Sequence, residues 1–499
     1  MTVTLTEPAP APTPVRSRPW ALTFRILRTE IRHSAFVWCL PLLVLLFVFD
    51  PYRTAASYAP LWPLRATVVL NKFWPDLVVF AAGFSAWAGS REGRRDVGDL
   101  LGTTVRAAWT RQLLSFAGTA FWVAATFLAG VAAIYLRTAM VATWGGPPIA
   151  PVVVGTVGMI MVCAVGFALG AIFPGRFTAP IVGIGLMIVT LVAFRQSVGS
   201  TGGAVAVLSP DGEVPGNDWG VFYRTSTGIP ITQCLFMGGV ALAALGLLGL
   251  WSRTGGVGWR GALSAVAAGG ARLRTIALSA FTAGIAALVA GAALASTSTG
   301  TPEGGYQIPS IDGTITAQTL PYTPVCSTGA FPVCAHPAYR DFLPHMTSAM
   351  AAAVREVAGL PGVPVRAVQV ARDSLPASGG SGGTGYGRVT SGGVYEFSMD
   401  SELFGGPAST DYQRGFQFDI LNAVIFGPVV GPAKTGPGTR HRGEPVGSQP
   451  GSGTPAQQAV LDGLLKALGV PAGPGTPGGG GGGGAPGAPV TAAAAKFAA

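Results

Sequence analysis

Residues 91–136 read REGRRDVGDLLGTTVRAAWTRQLLSFAGTAFWVAATFLAGVAAIYL, and the contrast between their two parts decides the fold. From Leu113 to Leu136 no residue carries a charge. A helix needs about 20 mostly apolar residues to cross about 30 Å of hydrocarbon, and this run meets that length. The preceding Arg91–Arg111 is charged and amphipathic, wedged between two apolar runs. A span does not need such a neighbour for its own stability.

The rest of the chain repeats the apolar theme. It has 499 residues, 49% of them hydrophobic and only 11% charged, and its mean hydropathy is +0.48. Soluble domains carry about 25% charged residues, so the composition alone points to a membrane. About seven spans are expected, centred on Val37–Phe49, Leu77–Ser90, Leu113–Leu136, Pro151–Phe173, Ala179–Phe194, Ile231–Trp251 and Thr275–Ala295. The second is short unless it begins near Val68, and a break is expected at Pro75.

Charge sets the expected direction. The net charge of +10 is confined to residues 1–296, so it reads as a topology signal rather than a nucleic-acid surface. With the N-terminus inside, the inner segments hold 15 arginines, from Arg16 to Arg274, and the outer ones hold six Lys or Arg. Cytoplasmic loops are the basic ones. An odd number of spans then places everything after Ala295 outside. The first span is expected to be a retained anchor, since DPYR follows Phe49 where a signal peptide would need a small-residue cleavage site.

The expected division is a disordered leader at 1–15, a membrane region at 16–296, an extracytoplasmic region at 297–470 and a disordered Gly/Pro-rich tail at 471–499. The outer region reads as a small α+β domain. Leu343, Met346, Met350, Val354 and Val357 recur at helical spacing between Phe342 and Leu360. Short strands are expected near Val363–Val370 and at GVYEFSM, with helices at Asp411–Phe426 and Gln457–Leu468. Cys326 and Cys334 would form a local disulfide in an oxidising compartment. The alternatives are free thiols, or a metal held with His336 and His345, whose spacing matches no common zinc pattern.

Several chemistries lack their residues. The nearest approach to a phosphate-binding loop, GPVVGPAKT, has Ala433 where glycine must precede Lys434, so the chain carries no ATPase motif of its own. It has no HExxH among its four histidines and no GxSxG between a strand and a helix. No Asp or Glu sits mid-span, as ion-driven carriers require.

Arg91–Arg111 is then the positive signal. Glu92, Asp96 and Asp99 come early while Arg106 and Arg111 come late, a polarity that suits a helix dipole. Such a helix would lie in the interface, where it can receive force from a soluble partner. The pattern A-x-x-R-E-x-R-R-x-x-G-x-L-L-x-T-T-x-R resembles the coupling segment of type-two ABC exporter permeases, above all actinobacterial forms. The inner hairpin GAIFPGRFTAPIVG around Arg176 is similar to theirs as well. The resemblance implies that Glu92, Gly93, Arg94, Arg95, Gly98, Leu100, Leu101 and Thr103 meet a separate ABC ATPase subunit. It also implies a second permease copy as partner, and ATP hydrolysed by the partner with no cofactor on this chain. The usual family subunit has six spans; this chain would add a seventh and an outer domain similar to those fused to some actinobacterial members.

The fold expected is therefore an α-helical polytopic membrane protein in a bacterial plasma membrane, a transport subunit and not an enzyme. One alternative is a membrane-anchored receptor or sensor. Another is an enzyme using His336, Asp341, His345 and Glu356, although His336 and Asp341 read better as caps at the helix start near Phe342.

Overall fold

The computed structural model describes residues 19–94, 108–198, 203–209, 219–223, 226–251, 271–300, 306–312, 320–360, 362–371, 375, 387–399, 410–426 and 455–468. The leader 1–15 and the tail 471–499 lie outside them.

Six helical stretches among the described residues are long and apolar enough to cross a membrane: Thr23–Ser57, Trp62–Gly89, Ala108–Ala139, Ala150–Ile172, Gly228–Trp251 and Leu273–Ser296. The expected fifth span is a helix too, but its apolar part, Thr178–Ala193, is shorter. The main helices are labelled α1 (Pro19–Arg32), α2 (Leu40–Phe47), α3 (Trp74–Gly89), α4 (Arg91–Arg94), α5 (Ala108–Ala139), α6 (Ala150–Ile172), α7 (Thr178–Val198), α8 (Gly228–Trp251) and α9 (Ala271–Ser296).

The second stretch starts earlier than expected, at Trp62, and does not break at Pro75. Proline cannot donate to the helical ladder. The ladder instead widens to a π turn over Val69–Phe73, just before Pro75, and the helix runs on through the proline without a break. Pro51 is absorbed in the same way by a π turn at Val48–Tyr52.

Small residues let the helices approach. On α6, a Cβ at Gly166 would stand 2.7 Å from the Ala82 carbonyl oxygen, and one at Gly170 would overlap that of Ala86. On α8, Gly239 and Gly246 meet the backbone of α9 at Leu288 and Phe281 in the same manner. Without a hydrophobic drive between helices in lipid, such close backbone packing is what holds a bundle together. Trp74 adds a bond across it, donating from Nε1 to the Gly155 carbonyl at 3.1 Å.

The C-terminal part is α+β. Strands β1 (Thr299–Gly300) and β2 (Tyr306–Gln307) form a small hairpin. Strands β3 (Val325–Cys326), β4 (Val333–Ala335), β5 (Arg366–Gln369), β6 (Gly387–Val389) and β7 (Val394–Phe397) form a mixed sheet in the order β3-β4-β5-β7-β6. The central β4, β5 and β7 run parallel. Helix α10 (Leu343–Glu356) carries the chain from β4 to β5, as a parallel pair requires. Its expected apolar stripe is observed, with Met346 and Met350 buried. Helices α11 (Thr410–Phe426) and α12 (Pro455–Ala467) complete this core. Cys326 and Cys334 sit opposite each other in the β3–β4 register and are joined by a disulfide.

The bundle has two distinct ends. The core of the C-terminal part takes in Leu61 and Leu64 from the segment joining the first two spans, and Phe222 from just before α8. Trp144, between α5 and α6, packs there too. The charged α4 and the turn joining α6 to α7 lie at the other end.

Candidate functional site

The charged segment continues from α3: the Arg94 amide donates to the Ser90 carbonyl at 3.0 Å. Residues 95–107 are outside the described residues. Of the eight candidate coupling residues, Glu92, Gly93 and Arg94 are placed. Arg95, Gly98, Leu100, Leu101 and Thr103 belong to that outside stretch.

The two flanks of the segment are tied to one another and to three other elements. Arg91 Nη2 meets Glu30 Oε1 of α1 at 3.0 Å. Glu92 Oε1 lies 3.7 Å from Arg111 Nε, so an ion pair closes the segment at its base. Arg94 sits 5.1 Å above the Trp87 ring and donates from Nη2 to the Trp87 carbonyl at 3.1 Å. Cation–π contacts at exposed sites contribute about 0.5–1 kcal/mol.

Gly93 supplies the tightest contact. A Cβ there would stand 2.5 Å from Pro174 Cβ, so no other residue fits without displacement. Pro174 belongs to the turn between α6 and α7, where Thr178 Oγ1 donates to the Phe173 carbonyl at 2.6 Å and takes the Gly175 amide at 3.1 Å. On the far flank, Trp109 donates from Nε1 to the Leu245 carbonyl of α8 at 3.1 Å. Movement of this segment would thus be felt by α1, by the α6–α7 turn and by α8.

Glu30, Trp87, Trp109 and Pro174 were not among the sequence candidates. A signal for Glu30 existed, because it is the only acid in an Arg-rich helix.

At the opposite end, His336 is fully buried. It caps the 3-10 helix Pro337–Phe342, where the Ala338 amide donates to its Nδ1 at 3.1 Å. Trp144, Phe222 and Tyr322 surround it, with ring centroids at 4.5, 5.2 and 4.3 Å. Burial pushes the imidazole down to about 4. His336 thus caps this 3-10 helix, one element before the helix start near Phe342 where a cap was expected, and no side-chain cap bond forms at the start of α10. The four residues considered for an enzyme are not alike in setting: His336 is buried, whereas Asp341 and Glu356 are exposed. Among the described residues, no three His, Cys, Asp or Glu side chains gather as a metal would require.

Asp312 fastens the C-terminal part to the bundle. Its carboxylate accepts from Ser226 Oγ at 2.5 Å, from the Thr227 and Gly228 amides at 3.1 and 2.8 Å, and from the Ile308 amide at 3.0 Å. The amides of Thr227 and Gly228 begin α8, where a negative charge also suits the helix dipole. Burial alone would raise this carboxyl, but the hydrogen bonds from Ser226, Ile308, Gly228 and Thr227 outweigh it and hold it below the usual carboxylate value.

Comparison with protein-family models, with curated proteins and with solved structures finds nothing that matches this chain.

Proposed function

We propose that this chain is the membrane subunit of an ATP-driven exporter of the type-two ABC class. It works with a separate ATPase and a second permease copy in a bacterial plasma membrane, with Arg91–Arg111 as the segment on which the ATPase pushes. The observation that carries the reading is the bracing of that segment: Glu30, Pro174 and Leu245 contact its flanks from α1, the α6–α7 turn and α8, and the Glu92–Arg111 pair ties the flanks together. A loop that only directs topology needs positive charge and no such bracing. On this reading the N-terminus and α4 are cytoplasmic, α7 crosses as a seventh span, and the C-terminal part is extracytoplasmic. The lipid bilayer covers the apolar outer faces.

The test is a mild-detergent pull-down of the full chain from its native membrane. A Walker-motif ATPase should co-purify, and Glu92→Ala together with Arg95→Glu should release it while the chain still inserts. A preparation free of any ATPase, reproducible after cross-linking, would overturn the exporter reading in favour of a receptor.

A further inference from the structure

The carboxyl ends of β4, β5 and β7 lie side by side, because the three strands are parallel and adjacent. The residues at that edge are unusual for a core. His336 follows β4, Gln369 ends β5 and Ser398 follows β7, and they are 0%, 2% and 6% exposed. His336 Nε2, Gln369 Nε2 and Ser398 Oγ have no hydrogen-bond partner among the described residues. Buried polar groups are nearly always paired, so three unpaired ones on one sheet edge need a reason.

We propose that this edge binds a small uncharged molecule bearing hydrogen-bond acceptors and a flat apolar face, such as a lactam, an aryl amide or a cyclic dipeptide. The donor inventory sets the class. The Ala338 amide already occupies His336 Nδ1, so the neutral ring carries its proton on Nε2 and donates from there. Gln369 Oε1 accepts the His336 amide at 2.9 Å, which leaves its amide nitrogen as a donor. Ser398 donates or accepts. None of the three carries a charge, so a buried ionic ligand would find no counter-charge among them. Trp144, Phe222 and Tyr322 around His336 supply the flat apolar wall. Trp144 and Phe222 belong to segments at the span ends, so occupancy of the edge bears directly on the bundle. This inference does not depend on the exporter reading.

The full chain, purified in detergent, is tested by ligand-observed NMR against three neutral probes: δ-valerolactam, benzamide and cyclo(Gly-Phe). Benzoate and benzylamine serve as charged controls. At least one neutral probe should bind with a dissociation constant near or below about 1 mM, and Ser398→Ala should weaken it by about fivefold or more. Gln369→Met should abolish binding. Should Gln369→Met fail to fold, Ser398→Ala, which only removes an unpaired hydroxyl, decides the matter. Absence of binding by all three neutral probes would overturn the proposal. So would binding unchanged in Ser398→Ala, or equal binding of the charged controls. The first two of these outcomes would mean that ordered water fills the edge.

Discussion

The two ends of the bundle are built on opposite principles. The end around α4 is held by partly exposed ion pairs, Glu30–Arg91 and Glu92–Arg111. Such pairs contribute about 0–1 kcal/mol each and exchange readily. The end around His336 is held by buried aromatic rings and a continuous apolar core. Helix α5 reaches from one to the other; with 32 residues it is about 48 Å long. The contrast separates an end made of contacts that can be remade from an end made of contacts that are expensive to lose.

The largest effect should come from the buried end. Met350→Ala removes a fully buried side chain between α10 and the sheet and should cost about 2–5 kcal/mol. Protease resistance of the C-terminal part during heating would report it. A change under about 1 kcal/mol would mean that this core is loosely packed, and the contrast between the ends would collapse.

Acidification should act next, through His336. Its folded pKa, about 4, lies below the ordinary 6.5, so the unfolded chain takes up the proton first. The associated stability is complete above pH 6.5 and is lost as pH falls through 4. At most about 3 kcal/mol is at stake. Unfolding followed from pH 7 to pH 4 should slope accordingly, and His336→Phe should flatten that slope.

Asp312→Ala should cost about 1–2 kcal/mol by removing the cap of α8. Because the carboxyl is held below its usual value, the wild-type advantage is full at neutral pH and fades as acid protonates it. Asp312→Asn should lose less, since an amide oxygen still accepts.

The smallest effect on stability belongs to the charged end. Glu92→Ala should change the melting behaviour by no more than about 1 kcal/mol and, on the exporter reading proposed above, should uncouple ATP hydrolysis from export. If ATPase stimulation and export both persist in the variant, the segment is topogenic and the functional half of the comparison fails.

Much of this architecture was legible in the residues. Apolar runs marked six helices long enough to cross a membrane, while the fifth expected span is a shorter apolar helix, and the 3.6-residue recurrence of Met346 and Met350 marked α10. Helices α11 and α12 begin within two residues of their expected starts at Asp411 and Gln457. The π turns were not legible, because they arise from a shift of backbone pairing beside Pro51 and Pro75 rather than from side-chain pattern. Strands β3, β4 and β6 hold two or three residues each, too few to display alternation. Within the candidate site, the charge polarity of Arg91–Arg111 was legible, whereas Glu92, Gly93 and Arg94 were singled out only by the family resemblance. Their partners were not legible: Arg91 meets Glu30 across 61 residues of chain, and Gly93 meets Pro174 across more. Only the folded bundle brings them together.

The core that takes in Leu61 and Phe222 also takes in Leu461, Leu464 and Leu465. During synthesis the early segments leave the ribosome some four hundred and two hundred and forty residues, respectively, before the late ones that cover them. The apolar side chains between the first two spans therefore join a core that is complete only once α12 has been made. A chain stalled before Leu461 would lack the last part of this core among the described residues, and its far end would keep apolar side chains exposed.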